Sequence, residues 1–198
     1  MESIPEGRID KWGRERFDEG PWREDLLASW INDRDFKRVA ELGVFDGYTL
    51  RNILEKCPDI ERLIGVDTWE HPDKYDCLAP KGERSREVYE TTDQEANYTL
   101  TLKNIEGYSD KVELLKMTTL EASKEFDDGY FDLVFIDADH SYEGVKNDIL
   151  TWYPKIRKGG LLCGHDFSWD GIRQAIAETV IMVHQTTDDV WVYQKKNF

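Results

Sequence analysis

The run FDLVFIDADH sets three ionisable groups, Asp137, Asp139 and His140, directly behind a stretch apolar enough to be a central strand. Carboxylates at the mouth of a buried strand are costly unless they meet a cation, a ligand or hydrogen-bond donors. A second pair, His165 and Asp166, follows the run GGLLCG. Two adjacent parallel strands would bring both clusters to one edge of a sheet, which makes Asp137, His165 and Asp166 candidate ligands of a divalent cation. A hydrogen-bond network that satisfies itself is the competing reading. His140 lies beside the acids, and the near-neutral pKa of an unperturbed imidazole suits it to take a proton from a substrate hydroxyl.

A second chemical element lies upstream. The segment RVAELGVFDG, residues 38–47, reads as a strand ending in an acid, Glu41, that turns through Gly43 and Gly47 into a helix. Such a loop lets backbone approach a ligand at the carboxyl end of the strands, where open α/β sheets bind small molecules. A dinucleotide fingerprint needs a glycine where this chain has Phe45, which counts against a nicotinamide or flavin ligand. Asp67 ends the next apolar run, LIGV, about 20 residues beyond Gly47, the distance at which a carboxylate can accept both ribose hydroxyls of an adenosine ligand.

These residues need a sheet to hold them. From residue 36 onward short apolar runs alternate with amphipathic segments, the pattern of a parallel sheet with helices on both faces. Strands are expected at 38–42, 62–67, 112–116, 131–137 and 160–164, and helices at 48–56, 85–105, 119–126, 142–156 and 171–178. The runs at 180–183 and 190–193, parted by HQTTDD, read as a closing antiparallel hairpin. Together they predict an α/β, Rossmann-like, doubly wound and mostly parallel sheet of seven strands. Residues 1–35 are more charged and hold Trp12, Phe17, Trp22 and Trp30. They read as an N-terminal helical arm on a domain spanning 36–198, and residues 71–84 as an irregular insertion in lid position.

Composition sets outer bounds. With 26 Lys and Arg against 41 Asp and Glu among 198 residues, the net charge of −15 disfavours a nucleic-acid partner, whose binding rests on basic side chains displacing counterions. The 39% hydrophobic and 12% aromatic content supplies apolar surface enough to fold. Three cysteines, Cys57, Cys77 and Cys163, fit no zinc or redox spacing. With no apolar leader at MESIPEGRID and no membrane-length run, a cytoplasmic protein is expected, with no membrane partner.

The motifs resemble a known family. ELGVFDGYT is similar to motif I of class I S-adenosylmethionine-dependent methyltransferases, especially the cation-dependent catechol and caffeoyl-CoA O-methyltransferases, and IDADH with GGLLCGHD resembles their later segments. VDTW with IDADHSYEGVKND looks closer to a small bacterial-type branch of the same class. The resemblance, over about residues 36–195, implies S-adenosylmethionine as cofactor. It places Glu41, Gly43, Phe45, Gly47 and Thr49 around the methionine end, Asp67 at the ribose, Met117 and Thr118 at the adenine, and Asp137 and Asp139 alongside. It implies a metal site at Asp137, His165 and Asp166 for Mg²⁺ or another divalent cation, with the family's Asp-Asn pair replaced by His165-Asp166. His140, with Asp137, would be catalytic, since it falls where those enzymes carry a lysine proposed as base. The implied reaction is methylation of a hydroxyl on a small molecule such as a sugar, polyol or catechol-like ring, with a homodimer as the candidate assembly. A cofactor-binding module without turnover and an iron-dependent oxygenase using Asp137, His165 and Asp166 are the alternatives.

Overall fold

A computed structural model describes residues 8–9, 15–16, 20–71, 91–180 and 183–196. In the N-terminal segment β1 (Arg8–Ile9) pairs antiparallel with β2 (Glu15–Arg16), and α1 (Arg23–Asp33) follows. The domain then runs β3 (Arg38–Leu42), α2 (Tyr48–Lys56), β4 (Arg62–Asp67), α3 (Gln94–Asn104) and β5 (Val112–Lys116). Its second half is α4 (Thr119–Ala122), β6 (Phe131–Ile136), α5 (Tyr142–Trp152), β7 (Ile156–Gly164), α6 (Asp170–Thr179), β8 (His184–Gln185) and β9 (Trp191–Gln194).

The sheet order is β5-β4-β3-β6-β7-β9-β8, parallel from β5 through β7 and closed by antiparallel β9 and β8. This is the mostly parallel, seven-stranded, Rossmann-like sheet that the alternation predicts. The order reverses between β3 and β6, the switch point where such sheets open a crevice for ligands. The expected first strand of the hairpin, 180–183, is observed as the two-residue β8, with Val180 capping α6 and residues 181–182 outside the described set. The 71–84 insertion likewise lies outside it, apart from the exposed His71. No helix among the described residues is long and apolar enough to cross a membrane.

Each face of the sheet has its own core. Leu27 and Ile31 of α1 and Leu50 and Ile53 of α2 pack against Val39, Leu133, Phe135 and Cys163. On the other face Val145, Ile149 and Trp152 of α5 and Ile172 and Ile176 of α6 cover Ala40, Leu42, Val134, Ile136 and Leu162. Strand side chains alternate between faces, which is why neighbours in sequence separate so cleanly into the two sets. Local signals fix the helix starts: Ser141 accepts from Gly144 N at 3.0 Å, and Thr118 and Glu121 form a reciprocal capping box at α4.

Candidate active site

The site grows out of three neighbouring strand ends. Leu42, Ile136 and Gly164 are in register across β3, β6 and β7, and the ladder continues one residue further: Asp137 N donates to Leu42 O at 2.8 Å and His165 N to Ile136 O at 3.0 Å. The period of two carries Glu41, Asp137 and His165 to the face covered by α1 and α2. Three ionisable side chains on adjacent strands therefore converge under α1. Asp166 follows in a left-handed conformation, φ 53°, and turns back toward His140.

The resulting network is dense. His140 Nε2 lies 2.9 Å from Asp166 Oδ2 and 3.3 Å from Asp137 Oδ1. His165 Nδ1 lies 3.2 Å from Asp166 Oδ1 and 3.7 Å from Asp137 Oδ1. The remaining partner comes from outside the motifs: Arg23, the first residue of α1, places Nη1 3.1 Å from Asp137 Oδ2 and 3.2 Å from His165 Nδ1. Val145, Ile172 and Trp191 line a narrow cleft behind Asp137 and His140. The Trp169 ring, centred 5.4 Å from that of His140, holds the imidazole on its other flank.

Electrostatics follow from this crowding. Burial would lower His140, but its hydrogen bonds to Asp137 and Asp166 and their charges prevail and push it up to about 10. Burial would raise the two carboxyls. Neighbouring nitrogen groups reverse that, Arg23 chiefly at Asp137 and His165 chiefly at Asp166, and both carboxyls lie below the usual carboxylate range. Glu41 goes the other way, raised well above that range by burial and then by the charge of Asp137.

The glycine loop joins this cluster to the cofactor side. A Cβ on Gly43, φ 85°, would collide with the backbone carbonyl of Asp137, so only glycine lets β3 pass so near the end of β6. Gly47, φ 76°, starts α2 where a Cβ would lie 2.9 Å from Thr101 Cγ2 of α3. Between them Phe45, φ 57°, presents its carbonyl to Trp69 Nε1 at 2.8 Å and Thr101 Oγ1 at 3.2 Å, while Asn104 Nδ2 donates to Asp46 O at 2.8 Å. Asp67 Oδ2 accepts from Val44 N and Phe45 N, each at 2.9 Å, and Oδ1 accepts from Trp69 N at 2.8 Å. Met117 N donates to Asp67 O at 3.1 Å, which sets Met117 and Thr118 beside that acid.

Placement of the sequence-derived residues is thus uneven. Asp137, His140, His165 and Asp166 meet in one cluster, with Glu41 and Thr49 buried beside it. Asp67, Phe45 and the two glycines form one loop system next to it. Asp139 is exposed and turned to the start of α5, where Oδ1 accepts from Ser141 N at 2.9 Å. Arg23, Thr101 and Asn104 were not singled out by motif, and Trp69 stands in VDTW without a role assigned to it. For Arg23 a signal existed, since converging buried acids demand a cation, but nothing selects one of 26 basic residues.

Two groups can be tested against these residues. For a cofactor the fit is good: Glu41 Oε2 is buried without a hydrogen-bond partner, a polar atom awaiting one beside the glycine loop. For a divalent ion the donor types match and the charge balance does not. Asp137, His140 and Asp166 offer three atoms within 4.8 Å of one another. Yet each carboxylate is already engaged by cationic or imidazole nitrogen, and hard ions such as Mg²⁺ want several unengaged oxygens. The residues as arranged do not fit such an ion.

A methyltransferase-domain family model matches residues 40–167, well over half of the sequence. The chain belongs to that family. The chain is 26% identical over 136 residues to an uncharacterised protein of Acanthamoeba polyphaga mimivirus, a match covering 68% of this chain and 53% of the relative, so that it spans about half the relative's length. Among solved structures it resembles an SAH-bound methyltransferase of Podospora anserina, TM-score 0.61 at 15% identity, over 89% of this chain and 78% of the other. It also resembles an O-methyltransferase of Bacillus cereus in complex with SAH, TM-score 0.60 at 15% identity, over 90% and 83%. At such identities the likeness is one of fold.

Proposed function

We propose that this methyltransferase transfers the methyl group of S-adenosylmethionine to a hydroxyl of a small molecule, with His140 as proton acceptor. The observation that carries the cofactor is the unpartnered buried oxygen of Glu41 beside the Gly43–Gly47 loop, one strand from Asp67. Glu41, Thr49, Gly43, Phe45 and Gly47 would hold the methionine end, Asp67 the ribose, and Met117 and Thr118 the adenine, with Asp137 and Asp139 alongside the cofactor. Asp67 already uses three of its lone pairs on backbone N–H groups, and a carboxylate keeps further acceptor capacity for a ribose hydroxyl.

The cofactor supplies, when bound, a methyl group already activated by its sulfonium. The protein's task is to align an oxygen nucleophile and to ease loss of its proton. His140, beyond the end of β6 and buried to 8% exposure, turns Nε2 to Asp137 and Asp166, which leaves Nδ1 as the ring nitrogen that takes the proton. Asp137 and Asp166 orient it and stabilise its charged form, while Trp169 limits its rotation. The acidic surface favours neutral or cationic acceptors, such as polyols, sugars or catechol-like rings.

Calorimetry with S-adenosylmethionine and with its demethylated product SAH tests the reading, with micromolar affinity expected for both. Absence of heat and of a thermal shift at about 1 mM would remove the cofactor assignment. Given binding, a methyl-transfer assay across hydroxyl and amine acceptors follows. Turnover confined to amines would leave a methyltransferase and overturn transfer to oxygen.

A further inference from the structure

Arg23 is held in the cluster from two directions. Its backbone N donates to Asp188 Oδ2 at 2.8 Å, and Thr187 Oγ1 donates to Pro21 O at 3.0 Å, so the turn between β8 and β9 fastens the start of α1. Leu27, Ala28 and Ile31 of the same helix are buried in the core below. The guanidinium therefore reaches Asp137 and His165 from a fixed base. Its side chain is 19% exposed.

The carboxylate oxygens are then engaged without an added ion. Arg23 Nη1 meets Asp137 Oδ2 at 3.1 Å, His140 Nε2 lies 3.3 and 2.9 Å from Asp137 Oδ1 and Asp166 Oδ2, and His165 Nδ1 lies 3.2 Å from Asp166 Oδ1. A divalent ion seated on these carboxylates would face a fixed positive charge a few ångströms away, in a site with little water to screen it.

We infer that Arg23 is the resident cation of this site, a positioning residue that occupies at Asp137 the role a divalent metal would otherwise fill. It neutralises the carboxylate and, by holding Oδ2, fixes the plane of the group whose other oxygen, Oδ1, orients His140. The catalytic consequence, methyl transfer independent of added metal, rests on the proposed function. The occupancy itself does not.

The test uses the full chain and Mn²⁺ alone, with binding read by calorimetry and by the electron paramagnetic resonance of free Mn²⁺. Wild type and Arg23→Lys, which keeps a positive charge, should bind weakly. Arg23→Ala and Arg23→Gln should bind Mn²⁺ at least about tenfold more tightly, and the gain should vanish when Asp137→Asn is added. Near-UV circular dichroism shows that folded proteins are compared, and Arg23→Gln carries the test should the alanine variant not fold. Mn²⁺ binding by wild type as tight as by Arg23→Gln, or no gain in folded Arg23→Gln, overturns the inference. Because no methyl donor is present, a negative result here is distinct from a failure of S-adenosylmethionine to bind.

Discussion

An imidazole lodged between two carboxylates is a base that must first be freed of its proton. With His140 pushed up to about 10, its neutral fraction at pH 7 is small and grows roughly tenfold per pH unit. The rate under kcat/KM conditions should therefore climb with pH and level near 10, and a profile flat from pH 7 to 9 would take the proton-accepting role from His140. His140→Ala should lower kcat by about 10² to 10⁴, the usual worth of a positioned base, while the calorimetric affinity for S-adenosylmethionine stays close to that of wild type. Asp67 makes a different demand. Its carboxylate ties Val44, Phe45 and Trp69 together, and on the proposed reading it also takes the ribose, so Asp67→Ala should weaken cofactor binding by roughly 1.5–3 kcal/mol and also lower Tm. A variant with unchanged affinity would confine Asp67 to fastening the loop. The sequence places this acid at a strand end, but its hold on the loop depends on a backbone turn with Phe45 at positive φ, which no side-chain pattern announces.

Elements reveal their own strains. On the far side of the sheet from Arg23, Asp148 is buried in α5, its Oδ1 accepting from Thr119 Oγ1 at 2.5 Å. Burial, opposed only in part by that hydrogen bond, pushes it up to about 7. The folded state thus holds its proton more tightly than the unfolded chain, whose carboxyl titrates near 3.8. Stability from this group is undiminished below that lower value, declines as pH rises toward 7, and stays reduced above it. Asp148→Asn, which keeps an acceptor for Thr119, should raise Tm by several degrees at pH 8 and by little at pH 4. An equal effect at both pH values would show that burial of charge is not what the substitution relieves. Sequence periodicity marks α5 through Val145, Ile149 and Trp152, and in the same pattern Asp148 falls on the buried side. That conflict was legible, and its resolution by a hydroxyl from α4 was not, because the two residues meet only through packing.

At the scale of the whole molecule, legibility follows the range of the interactions. Parallel strands with apolar interiors announce themselves, and with them the meeting of Asp137 with His165, since neighbouring strand ends in register must share an edge. Arg23 stays hidden because its path runs through α1 and the β8–β9 turn, elements joined to the site across 165 positions between Arg23 and Asp188. The same span makes the two ends of the described fold a single support. Removing the Asp188 side chain should cost about 1 kcal/mol, as for other side chains that hold a helix-start N–H, and lower Tm by about 2–4 °C. It should also free the first turn of α1, so that the guanidinium no longer keeps one position against Asp137. Asp188→Ala is then expected to raise KM for the acceptor and lower kcat with little change in the affinity for S-adenosylmethionine, because the glycine loop and Asp67 lie on the other side of the switch point. Asp188→Asn, which retains an acceptor for Arg23 N, should recover most of the loss. If the alanine variant loses Tm while kcat and KM remain those of wild type, the turn serves stability alone and the guanidinium needs no anchor beyond the carboxylate it meets.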